Sequence, residues 1–173
     1  HLEPALSVIL NIDADHLDYF KTLENIIRSF HQFALQTSRL LVVNGDDVNT
    51  RKAVEGIPSE KLLTFGFEQG NDYRAVNVAD TKRACERFTV LKKGVPLCEA
   101  SLRIPGKHNI YNALAAVAVA DFMGVDAQTI AESLHQFTGV HRRFEILGTF
   151  DGVTVADDFA HHPTAILATL AAL

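Results

Sequence analysis

Leu6-Ser7-Val8-Ile9-Leu10-Asn11-Ile12, followed by Asp13-Ala14-Asp15-His16, and then Leu40-Leu41-Val42-Val43, closed by Asn44-Gly45-Asp46-Asp47, decide how this chain folds. Short, β-branched apolar runs of this kind predict strands buried on both faces. Between them Thr22 is placed to cap a helix running to about Gln36. Its apolar positions Leu23, Ile26, Ile27, Phe30, Phe33 and Ala34 recur at the three-four spacing of one helix face. A short helix over 48–54 and a strand over 62–65 follow. Strand, helix, strand, helix, strand at this spacing predicts an α/β fold built on a mostly parallel sheet with flanking helices.

The pattern changes after Gly66. Stretches 73–79, 86–92 and 95–103 read as strands, the last two joined around Lys93-Gly94, which predicts an antiparallel hairpin or meander. Pro105-Gly106 ends it, and an Ala-rich helix is expected over 109–123, stopped by Gly124. Asp126 caps a further helix to about Phe137, with Ile130, Ala131, Leu134 and Phe137 on one face. Residues 138–142 read as a domain linker. Beyond it, 143–150 and 153–156 flank Asp151-Gly152, a hairpin signal, and Pro163 suits the first turn of a closing helix.

At 173 residues the chain suits one domain, or one domain with part of another. Sixteen basic against 21 acidic residues give a net charge of −5, which argues against a protein held on nucleic acid by phosphate contacts. The longest apolar stretch, 113–123, is interrupted by Asp121 and falls short of the ~20 residues that span a bilayer. Two cysteines, Cys85 and Cys98, make a disulfide framework unexpected and fit a reducing cytoplasm; a single bond between them stays open. The chain starts at His1 without a Met, and a piece of a longer protein is expected.

Four clusters can carry chemistry, and each has a plainer reading. Asn11 to His16 ends a strand where open α/β sheets bind ligands; it can hold a hard divalent cation, or be a polar loop with an Asp cap. Asn44 to Asp47 ends the next strand and reads as a turn with an N-cap. Ile104 to Asn112 joins a strand to a helix. Its Gly106, Lys107 and helix N-terminus can face phosphates, while Asn109 and Asn112 share one side of the first turn, to pair with a nucleobase or to cap the helix. The fourth has two parts. His141-Arg142-Arg143-Phe144-Glu145 sets two guanidiniums at the linker, and Asp157-Asp158-Phe159-Ala160-His161-His162-Pro163 opens the last helix. Adjacent histidines rarely converge on one metal, and no Cys or spaced His completes a tetrahedral set, which argues against structural zinc.

NIDADHLDYF, VVNGDD, IPGKHNIYNALAA, HRRFE and DDFAHHPT in this order resemble the Mur ligase family, the ATP-dependent amide ligases of peptidoglycan precursor synthesis. The resemblance implies a central ATP-binding domain at 1–138, followed at 139–173 by the start of a Rossmann-like C-terminal domain that binds the incoming amino acid. It implies ATP and Mg2+ as cofactors, a bacterial cytoplasmic enzyme, a monomer or homodimer, and UDP-N-acetylmuramate and L-alanine as small-molecule partners. DDFAHHPT is similar to the form in the L-alanine-adding branch and in the branch that reattaches recycled tripeptide. Later-acting members carry a carbamate-modified lysine about fifteen residues after the motif histidine, where this chain has His31.

Residue by residue, the resemblance makes His16 a magnesium-binding histidine. It assigns Asn109 and Asn112, with His108 beside them, to adenine recognition. Arg143 would contact nucleotide phosphates, and Asp158 would lie near the nucleotide and the interdomain hinge, as the catalytic pair. His161 and His162 would face the muramyl substrate or the amino acid. No GxxxxGK[ST] occurs: Ser101 stands where its first glycine would be and His108 where Ser or Thr would be. In the family that loop, the uridine-binding domain and a second metal-binding acid lie upstream, so these residues alone are expected neither to turn over nor to bind ATP tightly. A non-catalytic nucleotide-binding module is the competing expectation.

Overall fold

The computed structural model describes residues 3–81 and 85–172. A six-stranded sheet forms the centre, ordered β1 (Leu6–Ile9), β2 (Leu40–Asn44), β3 (Leu62–Gly66), β4 (Tyr73–Thr81), β5 (Cys85–Lys92), β6 (Val95–Leu102). β1, β2 and β3 pair in parallel, β3 meets β4 in parallel over only two residue pairs, and β4 to β6 form the expected antiparallel meander. The meander therefore extends the parallel sheet instead of making a second one.

β2 is buried at every position, and its alternation divides the interior in two. Leu41 and Val43 face Ile9, Ile26, Ala34 and Ala53 beneath α2 (Leu23–Gln36) and α3 (Val48–Ala53). Leu40 and Val42 face Phe65, Tyr73, Phe88, Ile110, Leu114 and Val117 beneath α4 (Lys107–Phe122), with Ile130 of α5 (Ala127–Gln136). β1 departs from the expectation of a strand covered on both faces. It is the edge strand: Ser7 and Ile9 are buried under α2, while Val8 and Leu10 are 38% and 41% exposed on the other face.

The caps follow the sequence. Thr22 Oγ1 accepts from the Asn25 amide at 3.3 Å, Asp47 from Thr50 at 2.6 Å, and Asp126 from Thr129 at 2.9 Å. A one-turn helix, Leu17–Phe20, follows a His16 in left-handed backbone (φ 52°) and was not evident from periodicity; it is α1. Beyond residue 137, β7 (Glu145–Phe150) and β8 (Val153–Asp157) form a separate hairpin around Asp151 and Gly152, both at positive φ, and α6 (Pro163–Leu170) starts on its proline. Cys98 is a free thiol; the Cys85 side chain lies outside the described residues. Among the described residues no helix is long and apolar enough to cross a membrane.

Candidate active site

The loops after β1 and β2 leave the same edge of the sheet, because β1, β2 and β3 run parallel. There a cleft of about 1790 Å³ opens between this edge, the first turns of α4 and the segment after the linker. Its polar wall includes His16, His108, Asn109, Asn112, Arg143, Asp158 and His162. Seven of the eight residues singled out from the sequence are thereby brought to one cavity. His161 is not: it is exposed, its Nδ1 lies 3.0 Å from the Phe159 carbonyl and its ring meets Phe159 edge-on. Of two adjacent histidines just before a helix, the chain direction lets only one face inward.

Gly106 precedes α4 at φ 102°, a conformation that glycine adopts without strain. A Cβ there would lie 2.6 Å from His108 Cε1 and 3.1 Å from the Ala172 methyl, so glycine lets the loop and the end of the chain approach. The helix begins at Lys107, two residues before the expected start. Asn109 Nδ2 donates to the Pro105 carbonyl at 2.7 Å, and Asn112 Nδ2 reaches Asn109 Oδ1 at 3.4 Å. The two amides thus form one linked edge facing the cleft. Lys107 is not among the residues that line it: its ammonium sits 4.6 Å from the Phe67 ring centroid and 5.9 Å from that of Tyr111, a cation–π contact.

Asp158 is fixed by three donors: the Ala160 amide at 2.6 Å, the Phe144 amide at 2.9 Å and the Thr169 hydroxyl at 3.3 Å. Burial raises its pKa, but these hydrogen bonds and the Arg143 charge outweigh it and hold the carboxyl below its ordinary value. Burial lowers the pKa of His108, against the pull of Asp158 and with that of Arg143, so its imidazole stays neutral near pH 7. A neutral imidazole, a carboxylate and a guanidinium therefore act on one another in the cleft wall.

Asp13, Asp15 and His16, also in the cleft wall, follow β1. Asn49 Nδ2 donates to the Ile12 carbonyl at 2.9 Å and steadies the start of this loop. The His16 side chain is 73% exposed, with Asp15 3.8 Å away. Among the described residues no group of three or more His, Cys, Asp or Glu side chains makes a metal cage. An open donor set of this kind fits a cation held mainly by phosphate and water oxygens, for which one or two protein ligands suffice. His31 does not share the cleft. Its Nδ1 lies 2.8 Å from the Ala53 carbonyl on α3, and the α2 residues that face inward are Ile26, Ser29, Phe30 and Phe33.

The sequence reading missed Asp46. It stood in a turn, yet its carboxylate accepts from the Phe67 and Glu68 amides (2.6 and 3.3 Å), Asn71 Nδ2 (2.7 Å) and the Tyr111 hydroxyl (3.0 Å). It ties the end of β2 to the loop after β3 and to α4. Asp46, the member of the Asp46-Asp47 pair not needed for a cap, was the available signal.

The Mur ligase middle-domain model matches residues 1–120, and the Mur ligase glutamate ligase domain model matches 142–173. UDP-N-acetylmuramate--L-alanine ligase of Caldanaerobacter subterraneus subsp. tengcongensis is 44% identical over 171 residues, which cover 98% of this chain and 37% of that protein. The chain thus spans under two-fifths of the length of this relative. The crystal structure of UDP-N-acetylmuramate-alanine ligase from Thermotoga maritima matches with a TM-score of 0.80 at 32% identity, over 98% of this chain and 38% of that one. UDP-N-acetylmuramate:L-alanyl-gamma-D-glutamyl-meso-diaminopimelate ligase from Neisseria meningitides matches with a TM-score of 0.66 at 31% identity, over 78% of this chain and 40% of that one. The five motifs in order, the cleft they line and these likenesses over almost all of its length make one finding: the chain belongs to the Mur ligase family.

Proposed function

We propose that this chain is part of a bacterial cytoplasmic, ATP-dependent amide ligase that joins L-alanine to UDP-N-acetylmuramate, with release of ADP and phosphate. Residues 1–138 would be the central ATP-binding domain and 139–173 the start of the amino-acid-binding domain, in a monomer or homodimer. The observation that carries the reading is the convergence of His16, His108, Asn109, Asn112, Arg143 and Asp158 on one cleft from both sides of the linker.

Joining an amine to a carboxylate in water needs a better leaving group than oxide, and phosphorylation of the carboxylate supplies one. Asn109 and Asn112 offer linked amide donors and acceptors to an adenine edge, with His108 beside them. Arg143 offers a guanidinium to phosphate oxygens, and Asp158, kept ionised, orients the Phe144 and Ala160 amides around it. His16 would hold magnesium, which when bound offsets the charge crowding as phosphate and carboxylate oxygens approach. His162, which faces the cleft, is better placed than His161 to meet the muramyl substrate or the amine. Residues from both sides of the linker exclude water from the acyl phosphate only when the two sides close. The 173 residues hold no GxxxxGK[ST], so this chain alone is expected not to turn over.

The test uses the full-length natural protein and UDP-N-acetylmuramate labelled with ¹⁸O in its carboxylate. An acyl phosphate pathway transfers one ¹⁸O to the released phosphate. Phosphate without label, formed alongside the amide product, would contradict it.

A further inference from the structure

Thr164 Oγ1 donates to Asp13 Oδ2 at 2.7 Å, across 151 residues of sequence. Beside it His162 Nε2 lies 3.2 Å from the Ala14 carbonyl, and His162 Nδ1 lies 3.7 Å from Asp13 Oδ2. Among the described residues these two are the only hydrogen bonds between 143–172 and the body that precedes the linker. No extensive apolar packing supplements them: β7, β8 and α6 leave Ile146, Leu147, Phe150, Val153 and Leu167 more than half exposed. The Asp13 carboxylate is also oriented from behind, because its other oxygen accepts from the Ala14 amide at 2.7 Å. The Thr164 hydrogen bond is the main reason its pKa lies below the ordinary value.

We propose that Asp13 and Thr164 are positioning residues of the ligase reaction, a latch that seats the segment carrying Asp158 and His162 against the loop carrying His16. The inference rests on the ligase reading above. Asp13 is three residues from His16, and Thr164 is two from His162 and six from Asp158. A single short hydrogen bond between them therefore fixes the spacing between the proposed cation ligand and the proposed amine side of the cleft. A hydroxyl on a carboxylate is suited to this work. It is directional and charge-assisted, and water can replace it when the two sides part to release product.

Full-length protein is compared with its Thr164→Val, Thr164→Ser and Asp13→Asn variants by hydrogen exchange of peptides 11–20 and 158–168. Thr164→Val is expected to speed exchange about tenfold in both peptides at once, and Thr164→Ser to restore the wild-type rates, as loss and return of one charge-assisted hydrogen bond would. Asp13→Asn should fall between. In the ligase assay Thr164→Val should raise the KM for the amino acid about tenfold and leave that for ATP within about twofold, because Asn109 and Asn112 are held by Pro105 and by each other and not by Asp13 or Thr164. Exchange that stays unchanged, changes in one peptide only, or is not restored by serine would overturn the latch. Faster exchange in both peptides with an unaltered amino-acid KM would overturn the positioning role. If the wild-type protein releases no ADP, the ligase reading has failed, and the paired exchange alone supports or overturns the contact.

Discussion

Asp46 and His108 show how much of the site rests on single side chains. Asp46 accepts from four donors on two other segments, and an amide in its place would set an N–H against at least one of them. Asp46→Asn is expected to lower stability by about 2 kcal/mol and Tyr111→Phe by about 1 kcal/mol in urea denaturation. Equal effects would mean that the two backbone amides and Asn71 add nothing. His108 has its pKa depressed in the folded state, chiefly by burial. The unfolded chain takes up that proton near pH 6.5 and the folded chain only at lower pH, so folding loses stability as pH falls below about 6.5. His108→Gln should flatten this slope in denaturation midpoints measured from pH 7.5 to 5.0. A variant that tracks the wild type throughout would show that His108 is freely solvated. Both residues were visible in the sequence, one as part of a turn and one inside a motif beside Asn109. Their partners were not, since Asp158 and Tyr111 lie 50 and 65 positions away from them.

Elements were legible wherever a local signal fixed them. Thr22, Asp47 and Asp126 cap their helices through the predicted hydrogen bonds, because a cap involves residues only three apart. Where a side chain points depends on neighbours, and there the reading erred. β1 has the composition of a central strand but sits at an edge, Lys107 lies against two aromatic rings, and His161 turns to Phe159 while His162 faces the cleft. The start of α4 was legible to within two residues, since Pro105-Gly106 announces it. Gly106→Ala would put a Cβ against His108 and Ala172 at a φ that L-residues avoid. A loss of about 1–3 kcal/mol is expected in thermal unfolding. An unchanged midpoint would show that the loop relaxes without cost.

The whole molecule places one continuous sheet beneath a cleft at its carboxyl edge, with a second segment meeting that edge from across the linker. The parallel order and the meander could be read from periodicity. The join of the two into one sheet could not, since it rests on two residue pairs between β3 and β4. Family membership was legible because five motifs stand in order, although each alone is common chemistry. The choice between L-alanine and the recycled tripeptide is a property of the whole protein, of which this chain covers 37% in its Caldanaerobacter relative. The most direct measurement is ADP release by the full-length protein with magnesium, ATP and UDP-N-acetylmuramate, adding L-alanine or L-Ala-γ-D-Glu-meso-diaminopimelate separately. Release that requires L-alanine is the predicted result. Release only with the tripeptide would place the protein in the recycling branch, and no release with either would contradict the ligase function while leaving the fold intact.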